Sequence, residues 1–234
     1  MKEYKYPDGN TFFVTEETTQ KTNYTFDDSG QIGEPESIQY FYNLVKTKHQ
    51  NSNAVIVDVG AQSGLYSLYA KFLPSCQFYA FEPFEETYGL LLDNLQLNQI
   101  YNVKAFNYAL GEKEEIKVLH VPTHLGLNTL GSTPKRFDTW KDVEVQVKRL
   151  DDIFMNETSL DYIKCDTEGW EMHILKGAEE SIRKWKPDLF IEVNETNLEQ
   201  CSLTEELLLD YVRSLGYKRM TYGNENVHFQ YFES

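Results

Sequence analysis

Residues 54–59 read Ala-Val-Ile-Val-Asp-Val and stop at Gly60. A run that is apolar at nearly every position suits a strand buried on both faces, and such strands belong to parallel sheets covered by helices. Residues 77–81, 103–108, 160–165 and 188–193 repeat the pattern as short strand-like runs. Between and after them, residues 64–72, 84–98, 171–185 and 204–215 carry apolar residues at helical spacing. Strands alternating with helices predict βαβ units. Two further strands, 116–119 and 144–147, flank a long loop at 122–142. A closing hairpin turning at 223–226 adds an antiparallel strand. The expected fold is a doubly wound, mainly parallel seven-stranded Rossmann-like α/β sheet with a C-terminal antiparallel hairpin.

That domain is expected over residues 51–234, with residues 1–50 as a small N-terminal extension packing on it. Runs 11–15 and 23–26 have strand-like composition, and Asp27-Asp28-Ser29-Gly30 supplies turn chemistry. From Pro35 to residue 49, Ile38, Phe41, Tyr42 and Val45 recur at three- and four-residue steps, which predicts a helix.

The net charge of −15 and the isoelectric point near 4.7 oppose a phosphate backbone or an anionic membrane face, so nucleic acid is not expected as a partner. Cys76, Cys165 and Cys201 are widely separated, odd in number and free of a CxxC pair, which disfavours a disulfide framework or a zinc knuckle. Reduced thiols in a cytoplasmic protein are expected. The N-terminus lacks an apolar signal core and no stretch approaches eighteen apolar residues, so neither a secretory leader nor a membrane span is expected.

Chemistry concentrates first at Asp58-Val59-Gly60-Ala61-Gln62-Ser63-Gly64, between a buried strand and a helix. Glycines there let the backbone turn sharply and approach a ligand. The helix start adds free N–H donors. About twenty residues on, Glu82 ends the next strand, where an acid accepts hydrogen bonds from ribose hydroxyls. A dinucleotide pyrophosphate calls for G-x-G-x-x-G, whereas Gly60 and Gly64 here enclose three residues and position 62 is Gln. Asp58, two residues before the first glycine, suits the ammonium of a methionyl tail better than a pyrophosphate. A cationic methyl donor is therefore favoured over NAD.

Together with Leu65-Tyr66-Ser67, Phe81-Glu82-Pro83, Leu95-x-x-Asn98, Ala109-Leu110-Gly111, Ile163-Lys164-Cys165-Asp166-Thr167-Glu168-Gly169-Trp170-Glu171 and Leu175-Lys176-Gly177-Ala178, that turn resembles the FkbM family of class I methyltransferases. The resemblance covers about the middle three fifths of the chain, in order. It implies methyl transfer from S-adenosylmethionine to a hydroxyl of a small molecule, a sugar or glycan or a secondary metabolite. It also implies that Gly60, Ala61, Gln62 and Gly64 hold the methionyl part, that Glu82 holds the ribose, and that Asn107, Ala109 and Leu110 flank the adenine. Tyr66, Ser67, Pro83 and Asp166 complete the expected cofactor lining. The family turn usually has Asn where this chain has Gln62.

The segment Asp166-Thr167-Glu168-Gly169-Trp170-Glu171 places three carboxylates at a helix start. The helix dipole explains one of them. Glu168, with Asp166, is expected to orient or deprotonate the acceptor hydroxyl. His124 in the long loop is a further candidate base, ranked below Glu168, as is His173. The loop from Thr123 to Leu130 is read as part of the acceptor pocket or its lid. Asp166, Glu192 and Asn194 end two strands that should be neighbours, and their oxygens would suit Mg²⁺. Structural hydrogen bonding is favoured there, so no metal ligand is assigned. A nicotinamide-dependent oxidoreductase and a non-catalytic nucleoside-binding module are the competing readings.

Overall fold

The computed structural model describes residues 1–22, 25–27, 29–49, 52–122, 127–132, 139–220 and 226–233. They fall into two compact units, Met1–Asn107 and the chain from Tyr108 onward.

In the first unit an antiparallel pair, β1 (Lys2–Lys5) and β2 (Thr11–Val14), precedes helices α1 (Glu16–Lys21) and α2 (Pro35–Lys48). Strands β3 (Val55–Val59), β4 (Gln77–Phe81) and β5 (Val103–Phe106) then pair in parallel, with Val59 opposite Phe81 and Phe81 opposite Phe106. A 3₁₀ segment (Ser67–Phe72) follows β3, and α3 (Glu85–Leu97) follows β4. The N-terminal extension packs on this αβ layer through polar anchors. Phe13 N–H donates to Asn98 Oδ1 at 2.9 Å, Thr15 N–H donates to Asn94 Oδ1 at 3.0 Å, and Tyr6 Oη donates to Leu65 O at 2.8 Å.

The second unit begins with β6 (Ala109–Leu110), β7 (Glu115–Pro122) and β8 (Trp140–Lys148), a three-stranded sheet ordered β6-β8-β7. After the short α4 (Leu150–Ile153), strand β9 (Tyr162–Cys165) pairs in parallel with β10 (Asp188–Glu192). Between them lie α5 (Glu171–Gly177) and α6 (Glu179–Trp185). After β10 come α7 (Glu195–Gln200), α8 (Glu205–Ser214) and the antiparallel strands β11 (Tyr217–Met220) and β12 (Asn226–Tyr231). β12 also lies antiparallel against β10. Seven strands thus carry the expected α/β alternation, three in the first unit and four in the second, and the chain closes on the expected hairpin. No described helix is long and apolar enough to cross a membrane.

The structure departs from the periodicity in several places, and the helix expected over 64–72 is a 3₁₀ segment of Ser67–Phe72. Residues 16–21 form α1, because Thr15 caps the first turn by accepting from Thr18 N–H. The expected strand at 23–26 is described only at Thr25 and Phe26, and Phe26 makes one isolated bridge with Ile32. The single helix expected over 171–185 breaks at Ala178. A Cβ on Gly177 would lie 1.8 Å from Gly111 O, so only glycine lets the end of α5 rest on that backbone. Strands β7 and β8 run further than expected and shorten the long loop. Residues 221–225, which include most of the expected hairpin turn, lie outside the described residues, as do 123–126 and 133–138 of the loop.

Candidate active site

In the first unit the chain leaves β3 through Gly60, at φ +74°, a region open to glycine. Gly60 and Ala61 both donate backbone N–H to Phe81 O, at 3.1 and 3.0 Å, which pins the turn to the end of β4. Gln62 follows at φ +49° and donates its N–H to Glu82 Oε2 at 3.0 Å. Glu82 Oε1 accepts from Phe84 N–H at 2.9 Å and Thr87 Oγ1 at 2.8 Å. The carboxylate is only 4% exposed, so charge and geometry are held by donors from the glycine turn and from the start of α3. Asn107 braces the same corner, donating from Nδ2 to Glu82 O at 3.0 Å and Pro83 O at 3.1 Å. Gly64, at φ +107°, faces side chains, since a Cβ there would lie 2.9 Å from Leu91 Cδ1. Its missing side chain therefore serves backbone conformation and packing.

The neighbouring expected residues support the turn from beneath. Ser67 Oγ donates to Asp58 Oδ2 at 2.6 Å, and both residues are buried. Tyr66 Oη donates to Glu34 Oε2 at 3.3 Å, while Tyr66 O accepts from the Tyr42 hydroxyl. Gln62 Oε1 accepts from Thr25 Oγ1 at 2.6 Å and Ser63 Oγ at 3.2 Å. Thr25 and Thr87 were not read from the sequence. Thr87 stands in the first turn after Pro83, where a hydroxyl can reach back to the preceding strand end, but Thr25 is remote in sequence and left no signal.

In the second unit, Asp166 to Trp170 links β9 to α5. Glu168 has φ +57° and Gly169 φ +102°. A Cβ on Gly169 would meet Asn197 O at 2.1 Å, so glycine admits the close approach of α7. Glu171, expected as a plain first-turn acid, is fully buried. Its Oε1 accepts from Thr167 N–H at 2.8 Å, Thr167 Oγ1 at 2.9 Å and Gly169 N–H at 3.2 Å. It closes the loop on itself, and burial pushes its carboxyl up to about 7. Thr129 Oγ1 donates to Glu168 O at 3.0 Å and ties the described part of the long loop to the acidic turn.

Carboxylate oxygens of Asp166, Glu168 and Glu192 lie within 4.8 Å of one another. Asn197 Nδ2 donates to Glu168 Oε2 at 2.7 Å and lies 3.3 and 3.4 Å from the two Glu192 oxygens. Lys164 Nζ stands 3.7 Å from Asp166 Oδ2. Burial, then the charges of Asp166 and Glu168, hold the Glu192 carboxyl well above the usual carboxylate range. Asn194 instead caps α7, its side chain accepting from Asn197 N–H at 3.2 Å. Asn197 was missed by sequence reasoning, because an Asn inside a short helix carries no distinguishing spacing.

Ala109 and Leu110 form β6, and Leu110 O accepts from Trp170 Nε1 at 3.2 Å. His173 stacks on Trp170 with ring centroids 3.9 Å apart, and its burial lowers the imidazole's proton affinity. His124 lies outside the described residues.

Residues 58–219 match the methyltransferase FkbM domain. The chain is 29% identical over 195 residues to methyltransferase sdnD of Sordaria araneosa, covering 64% of this chain and 75% of that protein. It is 28% identical over 149 residues to methyltransferase 1 of Beauveria bassiana, covering 55% of this chain and 59% of the relative. Among solved structures, the fold resembles methyltransferase FkbM from Methylobacillus flagellatus, with a TM-score of 0.53 at 18% identity, covering 84% of this chain. This chain spans about half (51%) of that protein. The ribosomal protein L11 methylase of Lactobacillus delbrueckii subsp. bulgaricus shares the fold at a TM-score of 0.50 and 11% identity, over 88% of this chain and 84% of that one. The match covers well over half of the sequence: the chain belongs to the FkbM methyltransferase family.

Proposed function

We propose that the chain transfers a methyl group from S-adenosylmethionine to a hydroxyl of a small molecule, a sugar or glycan or a secondary metabolite. The observation that carries this reading is the buried Glu82 carboxylate, fixed at the end of β4 by Gln62 N–H, Phe84 N–H and Thr87 Oγ1. A carboxylate in that place is an acceptor for a ribose diol. An acceptor carboxylate at that strand end fits the ribose of an adenosyl group. When bound, S-adenosylmethionine supplies an electrophilic methyl carbon on a sulfonium.

In this reading Glu82 binds the ribose hydroxyls and the turn at Gly60, Ala61 and Gln62 holds the methionyl end. Asp58, one oxygen of which accepts from Ser67, is the carboxylate for the ammonium. Asn107 keeps the Glu82–Pro83 backbone in register, and Ala109 and Leu110 are the residues assigned to the adenine. Glu168, with Asp166, would orient the acceptor hydroxyl and take its proton. Alignment and exclusion of water can contribute much of the acceleration in a methyl displacement, and a base adds about a hundred- to ten-thousandfold. The acidic surface supports a non-nucleic-acid acceptor. Three free thiols suit a reducing compartment such as the cytoplasm.

Calorimetry with S-adenosylmethionine and with NAD tests the donor. Binding of the first and not the second is expected, and the reverse overturns the assignment. Mass spectrometry of a panel of polyols and hydroxylated metabolites after incubation with donor tests the acceptor. Methylation confined to amines or carbon would overturn the hydroxyl assignment.

A further inference from the structure

Gln62 stands at φ +49°, in the left-handed region that a glutamine tolerates poorly. A residue in that conformation persists where its surroundings hold it, and three bonds hold this one. Its N–H donates to Glu82 Oε2 at 3.0 Å, and its Oε1 accepts from Ser63 Oγ at 3.2 Å and from Thr25 Oγ1 at 2.6 Å. Glu82 and Ser63 belong to the corner itself. Thr25 comes from the N-terminal extension of the same unit, 37 positions earlier in the chain. It is buried and its backbone is fixed, since its N–H donates to Thr22 O and its carbonyl accepts from Gly33 N–H, both at 2.9 Å. Thr22 Oγ1 lies 3.3 Å from Ser63 Oγ, so two hydroxyls of one short segment meet two consecutive residues of the turn. Among the described residues Thr25 Oγ1 has only Gln62 Oε1 as its acceptor, and a buried hydroxyl hydrogen needs one. That bond fixes which end of the amide faces Thr25. The other end, Nε2, has no partner among the described residues, so both of its N–H groups are free.

We propose that Thr25 is a positioning residue of the donor site, holding the Gln62 amide so that Nε2 donates to the carboxylate at the methionyl end of the donor. The amide nitrogen offers donors only, and of the two charged groups at that end only the carboxylate accepts. Thr25 acts through Gln62 rather than on the ligand. A long glutamine side chain loses rotamer freedom when a ligand immobilises it. The Thr25 bond has already fixed it in the folded chain, so that loss is not repeated on binding. Thr25 lies outside residues 58–219, the segment that matches the family, and the N-terminal extension thereby joins the donor site. This rests on the methyl-transfer reading, in which the turn holds the methionyl end.

The test is calorimetry of the full chain with S-adenosylhomocysteine and with 5′-methylthioadenosine, which keeps the nucleoside and the thioether but lacks the amino-acid end. In Thr25→Val, which replaces the hydroxyl by a methyl group, affinity for the first should fall at least about fivefold while affinity for the second stays within about twofold. Thr25→Ser, which keeps the hydroxyl, should bind S-adenosylhomocysteine within about twofold of the wild type. Adding Thr25→Val to Gln62→Met should cost nothing further, because the amide it acts through is gone. Unchanged affinity for S-adenosylhomocysteine in Thr25→Val overturns the proposal, and so does an equal loss for both ligands, the mark of a merely structural role. Should Thr25→Val unfold, the Gln62 side-chain amide resonances of the wild-type chain decide. A shift with S-adenosylhomocysteine and not with 5′-methylthioadenosine supports the contact, and no shift overturns it. A wild-type chain that binds neither ligand overturns the donor reading and this proposal with it, whereas one that binds both and is indifferent to Thr25→Val overturns the proposal alone.

Discussion

Glu82 Oε2 holds the backbone N–H of Gln62 at 3.0 Å, which fastens the glycine turn after β3 to the acid at the end of β4. One carboxylate thereby shapes the turn and remains the proposed acceptor for the ribose. Glu82→Gln separates these duties. Its amide oxygen can still accept from Phe84 and Thr87, but its NH₂ would then face the Gln62 N–H, donor against donor. Donor affinity should fall at least about tenfold by calorimetry, with stability lowered by about 1–3 kcal/mol in urea unfolding. Glu82→Ala should abolish measurable donor binding, and unaltered binding would remove the ribose assignment.

Glu168 has a side chain engaged by Asn197 and a backbone at φ +57° held by Thr129. Glu168→Gln keeps its size. Donor affinity should stay within about twofold, while turnover falls by about 10²–10⁴. A loss confined to donor affinity would move Glu168 from the acceptor to the cofactor.

Gly169→Ala should be severely destabilising. Its φ of +102° disfavours a side chain, and the added Cβ would press into Asn197 O at 2.1 Å, a rigid backbone atom. A loss of about 3 kcal/mol or more is expected in equilibrium unfolding. Gly89→Ala, where a Cβ would meet nothing within 4 Å, is the paired control and should be neutral or slightly stabilising.

Asp8 contributes to the acid sensitivity of the first unit. Partial burial raises its carboxyl, but hydrogen bonds from Lys46 Nζ, at 2.6 Å, and from the Tyr69 hydroxyl outweigh that and leave it below its ordinary 3.8. A folded-state value below the unfolded one means the contribution is full above about 3.8 and disappears as the pH falls through the lowered value. Wild-type protein should therefore lose more stability than Asp8→Asn between pH 5 and pH 2.5, measured by chemical denaturation. Parallel acid limbs would show that the contact contributes nothing.

By itself the sequence determined the alternation of the main strands and helices from Val55 to Glu192, the glycine turn, the strand-end acid Glu82 and the acidic run at 166–171. These features are local: apolar periodicity follows burial on one or two faces, and a glycine turn must sit between its strand and the next helix. The break at Ala178 was not legible, nor was the contact of Gly177 with the backbone of Gly111, far away in sequence. The same holds for Glu171, which reads as an ordinary helix-start acid until its three loop donors are seen, and for Asn197, whose amide acquires meaning only against Glu168 and Glu192. Only the tertiary structure brought Asp166, Glu168 and Glu192 together and took Asn194 away to a helix cap. Side-chain hydrogen bonds and like-charge contacts act over a few ångströms in space, whatever the separation along the chain, and a periodic pattern carries no record of them.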